Sequence, residues 1–318
     1  MLNQTANIIV HQSVDFDAVA SAFLLSKLAD IYGYSDKNYL FVAATTTADE
    51  IMYTHSRASK GEQAFIADTG KQHDGLYTFD HHQDGTNKTI SATSLVLDAL
   101  IKQDRGWADC RKLAALATSG DWMQNTNGAD WSSSIGLHAI LSGLKAQGAT
   151  DATIIAVMFP LLDLVCSTLK NQAQALRDAK ELIVAEGEVH IQGQIVKWCY
   201  TKPNAGLEVT KALYGLGYTI VASEDTITKD GAGLNPRRIN RAPDSMIHLG
   251  KWIDEVIKYF ERKSSYGNIG ILEVELYQEL KTWYKHQDGF MVGLSLIGGD
   301  CEYNTQITFE EVVKMLFQ

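Results

Sequence analysis

The chain has 318 residues, 45% of them apolar and 21% charged, a composition that excludes a disordered or fibrous protein and permits a sizeable core. Its length suits two domains of ordinary size. The net charge of −10, from 38 acidic and 28 basic side chains, argues against a protein that coats long duplex nucleic acid, and leaves small anionic ligands open where metal ions supply local positive charge.

Asn7-Ile8-Ile9-Val10 reads as a buried strand that breaks into His11-Gln12-Ser13, and Ala18 to Leu28 resumes with helical spacing. Apolar runs at Tyr39 to Ala44, Ala64 to Ala67 and Leu76 to Phe79 are three further candidate strands. Strands alternating with helices predict an α/β architecture: a mostly parallel sheet flanked by helices. Ile90 to Leu100 and Cys110 to Thr118 read as helices, the second closing on Ser119-Gly120-Asp121. Ala152 to Ala185 reads as one long helical tract containing Pro160, and a boundary is expected near Gly187, giving domains 1–187 and 188–318.

The smaller second domain reads as mixed α/β, with a cleft expected between the two. Val189 to Tyr200 has the alternation of a half-buried strand, Pro203 to Gly206 marks a turn, and Leu207 to Leu216 is a helix. A strand at Tyr218 to Ser223 and an amphipathic helix at Met246 to Tyr259 follow. The four cysteines, Cys110, Cys166, Cys199 and Cys301, are scattered without a CxxC pair, which suits a reducing compartment. With no basic leader and no uninterrupted run of about 20 apolar residues, a cytoplasmic chain without a membrane partner is expected.

The first 121 residues carry the chemistry. Four polar clusters adjoin apolar segments: His11-x-x-x-Asp15-x-Asp17, Asp68-Thr69-Gly70, Asp80-His81-His82 and Gly120-Asp121. Three follow proposed strands, at the carboxyl edge of an open α/β sheet where ligands bind. Carboxylates and imidazoles converging there need a counter-charge, and a metal supplies it. Mixed Asp/His ligation suits Mn²⁺ or Co²⁺ better than an all-oxygen Mg²⁺ cage. The groups are too many for one tetrahedral ion, whereas two ions about 3.5–4 Å apart would use them.

These motifs, in this order and spacing, resemble the DHH phosphoesterase superfamily, especially the branch of nano-RNases, cyclic-dinucleotide phosphodiesterases, exopolyphosphatase-related proteins and family II pyrophosphatases. The resemblance implies that His11, Asp15 and Asp68 hold one divalent metal and that Asp17, Asp68, His81 and Asp121 hold the other, with Asp68 as bridge. It further implies that His82 faces the substrate phosphate and that Asp80 orients the motif from behind it. The implied cofactor is a pair of divalent ions, Mn²⁺ first, then Mg²⁺ or Co²⁺. The implied activity is hydrolysis of phosphodiester bonds in short oligonucleotides or cyclic dinucleotides by a metal-activated water. Alternatives are a pyrophosphatase or exopolyphosphatase acting on polyphosphate, and a non-catalytic nucleotide-binding regulator that kept the fold. A homodimer is compatible with the resemblance.

The second half lacks the GGGH string found in many members of that superfamily and offers Gly231 to Arg238 and Gly293 to Asp300 instead. Arg237 or Arg238 is the candidate phosphate clamp, because guanidinium forks match phosphate oxygens. The other histidines, including His73, His138 and His248, lack partner spacing and read as ordinary surface or core residues. Trp122, Trp131 and Trp283 are of a type that can stack on a base, but large aromatics are more often core, and they are left unassigned.

Overall fold

A computed structural model describes residues 5–58, 62–82, 89–123, 132–203, 205–224, 227–229, 232–234, 237–289, 291–294 and 307–317. The chain divides into two units, 1–171 and 172–318. In the first, β1 (Thr5–His11) buries Ala6, Ile8, Ile9 and Val10 and is paired on both sides, by β2 (Asp36–Val42) and β3 (Gln63–Ala67). β4 (Thr78–Phe79) joins β3, giving the order β2-β1-β3-β4 with every ladder parallel. Parallel strands finish at one edge, so the residues that follow β1, β3 and β4 share it.

α1 (Phe16–Ile31) is apolar almost all round and buried from Phe16 to Ala29 apart from Lys27, as suits a helix in the centre of a domain. α3 (Ala92–Gln103) and α4 (Arg111–Asp121) pack against it, and Phe23, Val96, Leu100, Leu113 and Ala117 belong to the same core. α2 (Ala48–Ala58), absent from the sequence-based expectations, lies between β2 and β3 in the chain and packs on β3. α5 (Leu137–Ala146) and α6 (Asp151–Asp178) follow.

The long tract ends earlier than its composition predicts. α6 stops at Asp178, a short 3₁₀ turn runs Ala179–Leu182, and β5 (Ile183–Ile191) begins where the helix was expected to continue to Ala185. The division between units falls inside α6, after Asn171, rather than near Gly187. Gly187 lies mid-strand in β5 opposite Trp198, whose indole nitrogen sits 3.1 Å from where a Cβ would be; the glycine makes room for a ring. Val189 to Tyr200 is likewise two strands. β5 turns at Gln192 and Gly193, both at positive φ (51° and 78°), into antiparallel β6 (Gln194–Thr201), which is the turn chemistry of a tight hairpin.

By length and composition Asp151–Leu182 is long and apolar enough to cross a membrane. Within the first unit, its Ile154, Ile155, Met158, Leu162 and Cys166 are core residues.

The second unit is mixed α/β. α7 (Gly206–Gly215) connects β6 to β7 (Ile220–Glu224), which pair in parallel. β10 (Arg237–Arg241), β11 (Tyr284–Lys285) and β12 (Met291–Leu294) complete, antiparallel, a sheet of order β11-β12-β10-β7-β6-β5; β8 (Ile227–Lys229) and β9 (Ala232–Leu234) form a separate hairpin. α8 (Leu249–Ser265), α9 (Ile271–Thr282) and α10 (Phe309–Phe317) contribute Trp252, Leu280 and Phe317 to a core in which the rings of Trp198 and Trp252 both stack on Phe317. Among the described residues the fold is therefore α/β, with a parallel sheet, a mixed sheet and the small β8–β9 pair.

Candidate metal centre

The polar clusters converge at the carboxyl edge of the parallel sheet. His11 is the last residue of β1, Asp68 follows β3 directly and Asp80 follows β4. His11 Nε2 lies 3.2 Å from Asp68 Oδ2 and 3.7 Å from Asp15 Oδ2. Asp15 does two things at once: its Oδ1 accepts from the Ala18 amide as the N-cap of α1, and its second oxygen turns to His11. A helix cap and a ligand position are thus compatible, because a carboxylate has two oxygens.

Asp68 sits at φ 54° and Gly70 at φ 93°, so Asp-Thr-Gly turns through the left-handed region twice, which glycine adopts freely and Asp tolerates. The Asp68 carboxylate is 2% exposed and faces two ways. Oδ2 meets His11, while Oδ1 has no hydrogen-bond partner and lies 3.8 Å from His81 Nδ1 and 3.9 Å from His82 Nδ1. His81 Nδ1 is also buried and unpartnered, and stands 3.8 Å from Asp17 Oδ2; its Nε2 is 3.0 Å from Asp121 Oδ2 at the end of α4.

Asp17 is held from the other side. Its two oxygens accept from the backbone amides of Ala92 and Thr93, 2.8 and 2.9 Å away, in the first turn of α3. Amides at a helix N-terminus stabilise negative charge. Asp80, fully buried, accepts from the Lys71 amide (2.6 Å), the His82 amide (3.1 Å) and the His82 ring at Nδ1 (2.6 Å). The His82 side chain is 55% exposed, with Asp80 behind it.

Among the described residues, three groups of side chains come close enough to hold a cation: His11 with Asp15 and Asp68; Asp17 with His81 and Asp121; and Asp68 with Asp80, His81 and His82. The first has the members of one set implied by the sequence resemblance; the second has three of the four members of the other, and Asp68, the fourth, is grouped with His81 in the last. In the last group the oxygens of Asp80 are already committed to three donors, which suits it to orienting His82.

The ionisation of these groups reports their crowding. Burial penalises a charged His11, yet its hydrogen bonds to Asp15 and Asp68 outweigh that and push its pKa up to about 11. His81 is likewise disfavoured as a cation by burial and raised to about 9 by its bond to Asp121 and the charge of Asp17. Burial, then repulsion from Asp68 and Asp15, raises Asp17 to about 7. Burial also raises Asp68, against the pull of His11. His82 is raised by its hydrogen bond to Asp80. The unpartnered Asp68 Oδ1 and His81 Nδ1 are both acceptors when deprotonated, so the donor set fits divalent cations bound by nitrogen and oxygen.

Two supports were not visible in the motifs. The carboxylate of Asp151, first residue of α6, accepts from the backbone amides of Ser13 (2.9 Å) and Val14 (3.1 Å), in the loop between His11 and Asp15 where Ser13 has φ 58°. Lys145 Nζ donates to the Ser13 carbonyl at 3.1 Å. Thr69, in the same motif as Asp68, has a buried hydroxyl with no hydrogen-bond partner.

Arg237 corrects an expectation. Its guanidinium is buried in the second unit, donating to both oxygens of Glu279 (2.8 and 2.9 Å), to Glu224 (3.4 Å) and to the Ile307 carbonyl (3.1 Å). A guanidinium this fully engaged is an internal tie rather than a phosphate clamp. Arg238, its neighbour in β10, is half-buried. The Gly298-Gly299 segment and Asn235-Pro236 lie outside the described residues.

No family model matches the chain, and no curated protein does. Among solved structures, a pGpG-specific phosphodiesterase, PggH from Vibrio cholerae, is similar at 13% identity and a TM-score of 0.30, over 87% of this chain and 98% of that one. At that level of likeness the reading of function rests on the residues of the site.

Proposed function

We propose that this chain is a metal-dependent phosphohydrolase that cleaves phosphodiester bonds in short oligonucleotides or cyclic dinucleotides. The observation that carries the reading is the shared Asp68, one oxygen of which meets His11 while the other, buried and unpartnered, faces the unpartnered nitrogen of His81. In this reading His11, Asp15 and Asp68 hold one cation, and Asp17, Asp68, His81 and Asp121 hold the second. A pair of divalent ions, Mn²⁺ by preference, would lower the pKa of a shared water toward neutrality and neutralise phosphoryl oxygens.

The protein's own groups do the rest. The α3 amides hold Asp17 in place and disperse its charge. Asp80 accepts from Nδ1 of His82 and raises the ring's pKa, favouring the imidazolium, whose Nε2–H would serve a phosphate oxygen or a departing alkoxide. Arg238 is assigned the phosphate contact that Arg237 cannot make.

The test is release of product from bis-p-nitrophenyl phosphate, a linear dinucleotide, a cyclic dinucleotide and pyrophosphate by the purified chain, with Mn²⁺ and with chelator. Mn²⁺-dependent turnover of the dinucleotides is expected. Turnover of pyrophosphate alone would move the substrate to phosphoanhydrides, and no turnover on any of the four would favour a binding protein.

A further inference from the structure

Gly120 precedes Asp121 in the last turn of α4, and its φ is not positive. At such a position alanine is favoured over glycine by about 1 kcal/mol, so backbone conformation does not ask for the glycine. Space does. A Cβ at Gly120 would overlap Cε1 of His138 and lie 2.6 Å from its Nε2 and 3.1 Å from its Nδ1.

The same imidazole, in the first turn of α5, lies 4.3 Å from the ring of Phe16, centroid to centroid and tilted by 39°. Its Nε2 is 3.4 Å from the carbonyl oxygen of Leu116, one turn back along α4. Phe16 stands between Asp15 and Asp17, and Gly120 stands beside Asp121. His138 therefore touches the start of the helix that carries Asp17 and the end of the helix that carries Asp121, the two carboxylates that flank His81.

We propose that the His138 ring is a positioning wedge that sets the separation of Asp17 and Asp121 around His81, and so tunes the cation site those three residues form. The proposal rests on the metal reading above and adds a residue that reading does not use. His138 acts through Phe16 and Gly120 and holds no ion itself. A ring pressed against both elements limits how far either can drift, and outer supports of this kind change metal affinity by roughly ten- to a hundredfold.

The experiment is a Mn²⁺ titration of the full chain, followed by electron paramagnetic resonance and calorimetry so that two ions are resolved. Wild type should bind two. His138→Ala should weaken one ion by roughly ten- to a hundredfold and leave the ion at His11, Asp15 and Asp68 within about threefold. Gly120→Ala should weaken the same ion in wild type but cost nothing further in His138→Ala, where the added methyl meets no ring. His138→Gln, which keeps a planar polar group against Gly120, should retain most of the affinity and guards against a His138→Ala chain that fails to fold. Equal binding by wild type, His138→Ala and Gly120→Ala would overturn the role of His138 alone, as would an equal loss from Gly120→Ala in both backgrounds. Absence of Mn²⁺ binding by wild type would overturn the metal reading and this proposal together.

Discussion

Metal uptake should expel protons, and the number follows from the site. In the metal-free chain His11 and His81 hold their protons to about pH 11 and 9, because hydrogen bonds to Asp15 and Asp68, and to Asp121, outweigh the burial that disfavours their charge; burial keeps Asp17 protonated to about 7. Each must lose its proton to act as a ligand. At pH 6 all three are largely protonated, so about three protons should leave on binding; at pH 8 about two, and at pH 10 about one. The apparent Mn²⁺ affinity of each ion should accordingly rise on the order of tenfold per pH unit near pH 8, because each set of ligands then gives up one proton, from His11 or from His81. Calorimetry in buffers of different ionisation enthalpy counts the protons directly. Release of fewer than about half a proton at both pH 6 and pH 8 would refute the assignment of these groups as ligands.

The same shifts set the sign of stability. All three folded-state pKa values are raised, so each group's stabilising contribution is present below its unfolded value, near 4 for Asp17 and near 6.5 for the histidines. It is lost as pH climbs through about 7, 9 and 11 respectively. The chelated protein should therefore lose Tm between pH 6 and 9, and the rise in Tm on adding Mn²⁺ should grow over that range. A Tm of the chelated protein that climbs with pH would contradict this.

Asp68→Asn should abolish turnover more completely than Arg238→Ala, since it disturbs both cation sites, whereas Arg238→Ala should mainly raise KM; comparable losses in both would count against Asp68 as the bridge. Asp80→Asn should leave Mn²⁺ stoichiometry unchanged and lower kcat by roughly ten- to a hundredfold, because it removes the charge behind the His82 ring and turns a donor toward either His82 or the Lys71 amide; steady-state kinetics beside a metal titration separates the two effects. Arg237→Ala should destabilise the chain by about 3–5 kcal/mol in urea unfolding, by leaving Glu279 buried without its partner, with metal binding intact.

Local patterns in the sequence already contained much of the site. Apolar runs followed by polar clusters place His11, Asp68 and Asp80 at strand ends, and the parallel arrangement expected from alternating strands and helices gathers them at one edge. The residue types are those that could hold a cation, because crowded buried carboxylates need a counter-charge. The long helix was legible as well, though not its end: burial alternates along β5 from Ile183, but its first three residues, Ile183, Val184 and Ala185, are all apolar and continue the composition of the helical tract.

What only the tertiary structure decided are contacts between segments far apart in the chain. Asp151 grips the amides of Ser13 and Val14, the α3 amides grip Asp17, and His138 lies against both Phe16 and Gly120. No periodicity or spacing encodes such pairs, because periodicity records which face of one element is buried and not what covers it. The two adjacent arginines make the same point. Arg237 and Arg238 are alike in sequence, but successive residues of a strand point to opposite faces, and Arg237 meets Glu279 and Glu224 inside the core. The residue type made both arginines candidates; packing alone withdrew Arg237.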